Sequence, residues 1–171
     1  MADLITPFAA RIADAQPDEV FTALHQLCDE TVGVKLFTCS RFDMTAMQAE
    51  RIHTSDQQAY PLTGLKDIVP NRWTAIVLDG RKPFLADSIE ELRDVFPDND
   101  KIEALGLGAA INIPVFVGGN VLGTVNLLEV DHGYSHQSMS FMPELSVCAT
   151  LSFLVYLHVR QTGRLERLSS D

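Results

Sequence analysis

The sequence predicts an α+β domain, an antiparallel sheet with its helices segregated onto one face. Three observations carry that expectation. The hydrophobic pattern runs helix, hairpin, helix-bearing crossover, hairpin, helix along the chain. The stretch GLGAAINIPVFVGGNVLGTVNLLEVDHGY, Gly106 to Tyr134, reads as two apolar strands about a tight Gly-Gly-Asn corner. The segment after it is apolar on more than one side, as suits a helix with more than one packing partner. At 171 residues the chain is expected to form one domain, 1–171, with its core over about 17–160.

Each element has a local cause. Residues 2–15 carry apolar side chains at helical spacing. They lack the basic start and long apolar core of a signal peptide. In the second helix, 17–32, Pro17 suits the first turn, and Asp18 and Glu19 suit the positive end of the dipole. Val20, Phe21, Leu24, Leu27, Cys28 and Thr31 fall on one face, and Gly33 suits the stop. Residues 34–42 read as a strand, 43–46 as a turn and 47–55 as the returning strand. In that strand Arg51 and His53 are expected to share one face, while Glu50, Ile52 and Thr54 share the other. Residues 56–70, with Pro61, Gly64 and Pro70, read as a long loop, a feature often tied to function.

Asn71 can cap a short helix through Leu78, ended by Asp79-Gly80. Residues 82–86 suit an edge strand, because Pro83 cannot donate to a ladder. Ser88 with Glu91 three residues on has the capping-box spacing. Pro97-Asp98 opens a helical turn to Leu105, ended by Gly106. After the hairpin a long helix begins at Ser135 or Ser138 and runs to about Gln161. Met142, Leu145, Cys148, Leu151, Leu154, Val155 and Val159 are spaced for burial, and the polar tail 161–171 is expected to fray.

The hairpin allows two registers. A two-residue turn at Gly118-Gly119 pairs Val117 with Asn120. A three-residue corner pairs Val117 with Val121. The second makes each face consistent and is preferred here, with Asn120 taking the left-handed backbone. It places Ile111, Ile113, Val115, Val117, Val121, Val125 and Leu127 toward the helices. Asn112, Thr124 and Asn126 gather on the other face with Pro114, Phe116, Leu122 and Leu128. A semi-apolar surface with a few convergent polar groups describes a ligand pocket. The alternative is that these polar groups bond to the crossover instead.

Composition narrows the function. With 13 Lys and Arg against 23 Asp and Glu the net charge is −10, which disfavours nucleic acid and anionic membrane as partners. The longest apolar segment, Val147 to Val159, falls short of the ~20 residues of a membrane span and reads as a buried helix. A cytoplasmic location is expected. Cys28, Cys39 and Cys148 lack metal spacing and read as inert thiols. His132 and His136 are four apart, but Gly133 interrupts a helix there, so surface histidines are expected. Asp94, Asp98 and Asp100 lack the EF-hand spacing. Arg51 and His53, with Lys35 and Arg41 nearby, could recognise a carboxylate or phosphate, but solvated sheet-edge charges are the expected reading. Lys66-Asp67 beside Tyr60 and Trp73 could hold an anionic or planar ligand, or could simply anchor a loop. No nucleophile elbow, P-loop or dinucleotide fingerprint occurs.

The hairpin resembles the C-terminal signature of GAF domains. The matching residues are Ala109-Ala110-Ile111-Asn112-Ile113-Pro114, Gly118-Gly119 and Val121-Leu122-Gly123-Thr124-Val125-Asn126-Leu127. The segments GVKLFTCSRFD, ERIHTS, AYPLTGLKD and GLGAAINIPV are similar to short, stand-alone bacterial GAF proteins of unassigned function. The resemblance implies a profilin-like, PAS-related antiparallel sheet of five or six strands, order 2-1-5-4-3. One face would lie on the terminal helices and the other under a crossover roof. It implies a site under that roof, lined by Tyr60, Lys66, Trp73, Phe96 and Ile102 opposite Asn112, Thr124 and Asn126. Dimerisation through the terminal helices is also implied. The cyclic-nucleotide signature of some members is missing. KDIVP, Lys66 to Pro70, is shifted from the bilin motif, with no Cys nearby. The cofactor is therefore unknown, with neither a metal motif nor a covalent chromophore motif.

The expected function is a non-catalytic, small-molecule-binding sensory or regulatory domain. It would act as a homodimer or through a separate effector, since no effector follows in the chain. The alternatives are a redox enzyme related to free methionine-R-sulfoxide reductase, or a ligandless dimerisation scaffold. The resemblance implies crossover cysteines for that enzyme, and this sequence has none between Cys39 and Cys148.

Overall fold

The structure, a computed structural model, describes residues 3–16, 19–62 and 64–168, with 162–168 described as backbone. Pro17, Asp18 and the tail residues 169–171 lie outside the described residues. The first helix, α1 (Ile5–Ile12), is shorter than the 2–15 span expected. Asp3 Oδ1 accepts from the N–H groups of Ile5 and Thr6 at 3.1 Å each, and Phe8 is fully buried. In α2 (Glu19–Val32) the buried residues are Val20, Phe21, Leu24, Leu27 and Cys28, most of the stripe read from the sequence. Gly33, at φ +79, closes the helix.

Six strands form one sheet in the order β3-β2-β1-β6-β5-β4. They are β1 (Leu36–Asp43), β2 (Gln48–Thr54), β3 (Leu65–Asp67), β4 (Phe84–Ala86), β5 (Ala109–Val117) and β6 (Asn120–Glu129). Every recorded pairing is antiparallel. Without β3, the other five stand second, first, fifth, fourth, third. β3 corrects the reading of 56–70 as all loop. Its three exposed residues pair with Gln48, Ala49 and Glu50 of β2 at the sheet edge.

The roof is the crossover from β2 to β5. α3 (Arg72–Thr74) starts at Asn71, whose side chain accepts from Thr74 N–H while the Thr74 hydroxyl accepts from Asn71 N–H. The helix passes directly into a π-helical turn (Ala75–Asp79). Gly80 ends it, but not through a left-handed backbone, since its φ is −77. A Cβ there would sit 2.7 Å from the Ile76 carbonyl oxygen, so close approach is what demands glycine. α4 (Ile89–Arg93) has Ser88 as its cap, and α5 (Asn99–Ala104) follows Asp98.

The opposite face of the sheet carries α1, α2 and α6 (Met142–Leu168), the last preceded by a 3-10 turn (Ser138–Phe141). α6 runs past Gln161, so the backbone of 162–168 is helical where fraying was expected. Its buried line also differs. Met142, Leu145, Cys148, Ala149, Ser152 and Phe153 are buried, while Leu154 is 42% exposed. Small Ala149 and Ser152 let the helix lie close to the sheet, and the Ser152 hydroxyl donates to the Cys148 carbonyl at 2.9 Å. By length and composition Ser138–Gln161 could cross a membrane, and about 33% of its most apolar 18-residue stretch is buried.

Two bulges set the faces of the sheet. The β5–β6 turn has two residues, with Gly118 and Gly119 at φ +58 and +82, and Val117 pairs with Asn120. That corrects the preferred three-residue corner, and Asn120 keeps a negative φ. A bulge then opposes Val115 to Gly123, leaving Leu122 as the extra residue, and restores the pairings Ile113 with Val125 and Asn112 with Asn126. The faces expected away from the turn thus survive, but Leu122 packs against the helix-side core and Val121, expected toward the helices, pairs with Phe116 of the other face. The second bulge lies in β2. Cys39 pairs with His53 but Ser40 pairs with Arg51, so Ile52 is extra. Arg51 and His53 therefore part. His53 lies against Phe21 and Phe37 on the helix side, and Arg51 goes to the roof side.

A cavity between sheet and roof

Between the sheet and the crossover lies a cavity of about 190 Å³. It is smaller than the ~300–1,000 Å³ of drug-sized sites and somewhat larger than a ~150 Å³ cavity that admits benzene. All eight residues singled out from the sequence line it: Tyr60, Lys66, Trp73, Phe96, Ile102, Asn112, Thr124 and Asn126.

The floor is a polar ladder across three strands. Trp73 Nε1 on α3 donates to Asn112 Oδ1 at 2.8 Å. Asn112 Nδ2 donates to Asn126 Oδ1 at 2.9 Å, and Asn126 Nδ2 donates to Thr38 Oγ1 at 3.1 Å. Register explains the chain, because Asn112 faces Asn126 and Asn126 faces Thr38. Part of the puzzle of amides in an apolar hairpin is answered here, since they bond to one another and to the roof. Each amide nitrogen has two protons and uses one of them in the ladder.

An aromatic wall stands on this floor. Trp73 meets Phe42 of β1 edge-on at 6.2 Å and Phe96 at 6.4 Å, and Phe96 meets Phe84 at 6.2 Å. Asn71 Nδ2 donates to the Val95 carbonyl at 3.0 Å, which ties α3 to the segment after α4.

The third side is charged. Tyr60 is held by the turn at Asp56, and its hydroxyl donates to Asp98 Oδ2 at 3.1 Å. Lys66 Nζ meets Asp98 Oδ1 at 3.0 Å and lies 5.5 Å from the Phe96 ring centre. Asp98 thus serves the cavity and leaves α5 without a side-chain cap. Burial alone would raise the Asp98 carboxyl, but the Lys66 charge and hydrogen bond and the Tyr60 hydroxyl bring it below its ordinary value. Burial, with Asp98 adding, pushes the Tyr60 phenol up. Arg51 stacks 4.9 Å from the Tyr60 ring centre and its Nη1 donates to the Pro61 carbonyl at 2.8 Å. Burial lowers its guanidinium from the ordinary value.

Sequence reasoning missed Arg51, Thr38, Ser40, Phe42 and Asp98 as cavity residues. Strand alternation alone puts Thr38, Ser40 and Phe42 on one face, so that signal was available. For Arg51 none was, because the β2 bulge has no mark in the sequence.

The cysteines lie elsewhere. Cys28, Cys39 and Cys148 are buried in the helix-side core. Burial pushes all three thiols up, Cys148 to about 11. His132 is exposed at the β6–α6 corner, its Nδ1 3.4 Å from Asp87 Oδ2, and His136 is also exposed. Among the described residues no three His, Cys, Asp or Glu side chains converge as a metal site.

No family model matches the sequence, and no curated protein matches it. Solved structures do match. The GAF domain of a phosphoenolpyruvate-protein phosphotransferase from Coxiella burnetii superimposes with a TM-score of 0.69 at 11% identity, covering 94% of this chain and 95% of that one. A GAF domain/HD domain protein from Geobacter sulfurreducens gives 0.65 at 14%, covering 90% and 98%. The phycocyanobilin-bound GAF domain of a cyanobacterial phytochrome gives 0.62 at 13%, covering 88% and 94%. The chain has the fold of these GAF domains.

Proposed function

We propose that this GAF-fold chain is a non-catalytic sensory or regulatory domain that binds a small molecule under its roof. The observation that carries the reading is the cavity itself. It has an apolar aromatic wall, a floor of oriented amides and one charged side, the mix that gives a ligand both affinity and orientation. Structures of the same fold include a sensor histidine kinase domain from Bacillus halodurans and part of a methyl-accepting chemotaxis protein, which supports a sensory role. The redox alternative is disfavoured, because the thiols sit across the sheet from the cavity and are held protonated.

The occupant is modest in size, on the order of ten non-hydrogen atoms in so small a space. The domain works in the cytoplasm as a homodimer through the exposed apolar stripe of α6, passing its signal along those helices or to a separate effector. Native mass spectrometry of the full chain purified from its own host tests the reading. A bound mass lost on Asn126→Ala, with the fold intact by circular dichroism, is expected. A chain that carries no added mass and takes up none from a host metabolite extract would leave only the ligandless scaffold, which the self-bonded amide ladder would then serve.

A further inference from the structure

We propose that the cavity takes a small monocarboxylate with a flat apolar body, and that Arg51 is its anchor. The inference rests on the ligand-binding reading above and names the ligand class. The starting point is an imbalance among the charged groups around the cavity. Lys66 is paired with Asp98 at 3.0 Å. Asp67, at the rim, accepts from Gln48 Nε2 at 3.2 Å. Lys101 stands on the Tyr60 ring, 4.5 Å from its centre, and donates to the Ala59 carbonyl. Of the two cations that line the cavity, Lys66 is thus paired, and Arg51 has no carboxylate partner among the described residues.

A guanidinium carries five N–H donors. The recorded hydrogen bond of Arg51 uses one, on the Pro61 carbonyl at 2.8 Å. Its Nε is shut off from solvent and has no acceptor. An unmade hydrogen bond to a buried charged group is destabilising. Arg51 lines the cavity, so an anion there can accept from the Nη donors that the Pro61 carbonyl leaves unused. A carboxylate fits the planar fork of the donors. One unpaired cation matches one negative charge, which favours a monocarboxylate over a dianionic phosphate.

The rest of the cavity describes the body of the ligand. Trp73, Phe42 and Phe96 give an apolar wall of ring edges and faces. The ladder leaves a second proton on each of Asn112 Nδ2 and Asn126 Nδ2, so the floor offers donors to an acceptor substituent. A compound of benzoate size suits both the charge and the space.

Trp73 is the single tryptophan of the chain and lies in the wall, so its fluorescence reports occupancy. The full chain is titrated with benzoate and with benzamide, the neutral analogue of nearly equal shape. Benzoate is expected to bind saturably and at least about tenfold more tightly. Arg51→Gln should lower benzoate affinity about tenfold and bring the two compounds level, with Arg51→Lys in between. If Arg51→Gln fails to fold, the benzoate-to-benzamide ratio on the unaltered chain still decides. Equal binding of the two overturns the carboxylate assignment and leaves the cavity reading standing. Failure of both to bind also overturns the assignment, and the bound-mass experiment then judges the cavity reading separately.

Discussion

The two faces of the central sheet are built from the same strands and solve opposite problems. Toward the helices, Cys39, Ile111, Ile113, Val115, Val125 and Leu127 are completely buried, and Phe153 and Phe21 close over them. Toward the roof, one residue out of step, stand Thr38, Asn112, Thr124 and Asn126. The first face excludes polar atoms and fills its space. The second keeps polar atoms in a fixed chain and leaves space unfilled. Stability is therefore expected to reside mainly in the first face and recognition in the second. The sharpest test is a large truncation on the packed side. Phe153→Ala should lower unfolding free energy by about 3–5 kcal/mol in urea denaturation. Phe153 also lies close to Gly123, where a Cβ would come within 2.9 Å of its ring. A loss under 1 kcal/mol would mean the helix face is not the dominant core.

On the roof side the corresponding change should cost less. Asn112→Ala strands the Trp73 indole N–H and the Asn126 carbonyl oxygen, at about 1–3 kcal/mol. A double-mutant cycle with Trp73→Phe isolates the link itself and should give a coupling of about 1 kcal/mol. A coupling near zero would show that the ladder does not hold the roof to the sheet.

How much of this contrast could be read in advance differs by residue. The alternation that separates Ile111 and Ile113 from Asn112 is a local property of an extended chain, and it was legible. So was the sheet side of the cavity, because a register in which each face is consistent leaves few places for Asn112, Thr124 and Asn126, whereas the roof residues came from the family resemblance alone. The turn at Gly118-Gly119 was misjudged because the tip and the body of the hairpin obey different registers. The bulge at Leu122 reconciles them, and Gly123 beside it marks the close approach to the Ser40 carbonyl. Arg51 was misplaced for the same kind of reason. A single extra residue, Ile52, turns it from partner of His53 to occupant of the opposite face. In α6, periodicity alone could not choose between Leu154 and Ala149 for burial, because close packing on a sheet rewards the smaller residue.

The parting of Arg51 and His53 also separates their responses to pH. Burial lowers His53 from 6.5 to about 4, with His25 beside it adding to the effect. A histidine with a depressed folded pKa is protonated first in the unfolded chain. Stability should thus be full above about 6.5 and fall as pH drops toward about 4. Because the ring is partly exposed, the loss attributable to it is about 1–2 kcal/mol after solvent screening. Urea midpoints at pH 7 and pH 5 check the direction. His53→Gln should reduce the change in that window, where few carboxylates titrate and His25, also lowered by burial, supplies the rest. An unchanged slope would place the acid sensitivity in other groups.

The smallest effect on the fold, and the clearest on assembly, is expected on the outer surface of α6. Val147 and Leu154 are each 42% exposed and seven residues apart, so they lie on one stripe, with Leu151 between them. A surface leucine away from the core contributes within about 0.5 kcal/mol to folding. If that stripe joins two copies, Leu154→Glu places like charges across the interface and removes apolar contact at once. The variant should unfold at the same urea midpoint at low protein concentration yet elute as a monomer in light-scattering chromatography, where the unaltered chain elutes as a dimer. An unaltered chain that is already monomeric at micromolar concentration would remove the dimer proposal. It would leave both faces of the sheet as described, since Val147 and Leu154 belong to neither the packed core nor the cavity lining.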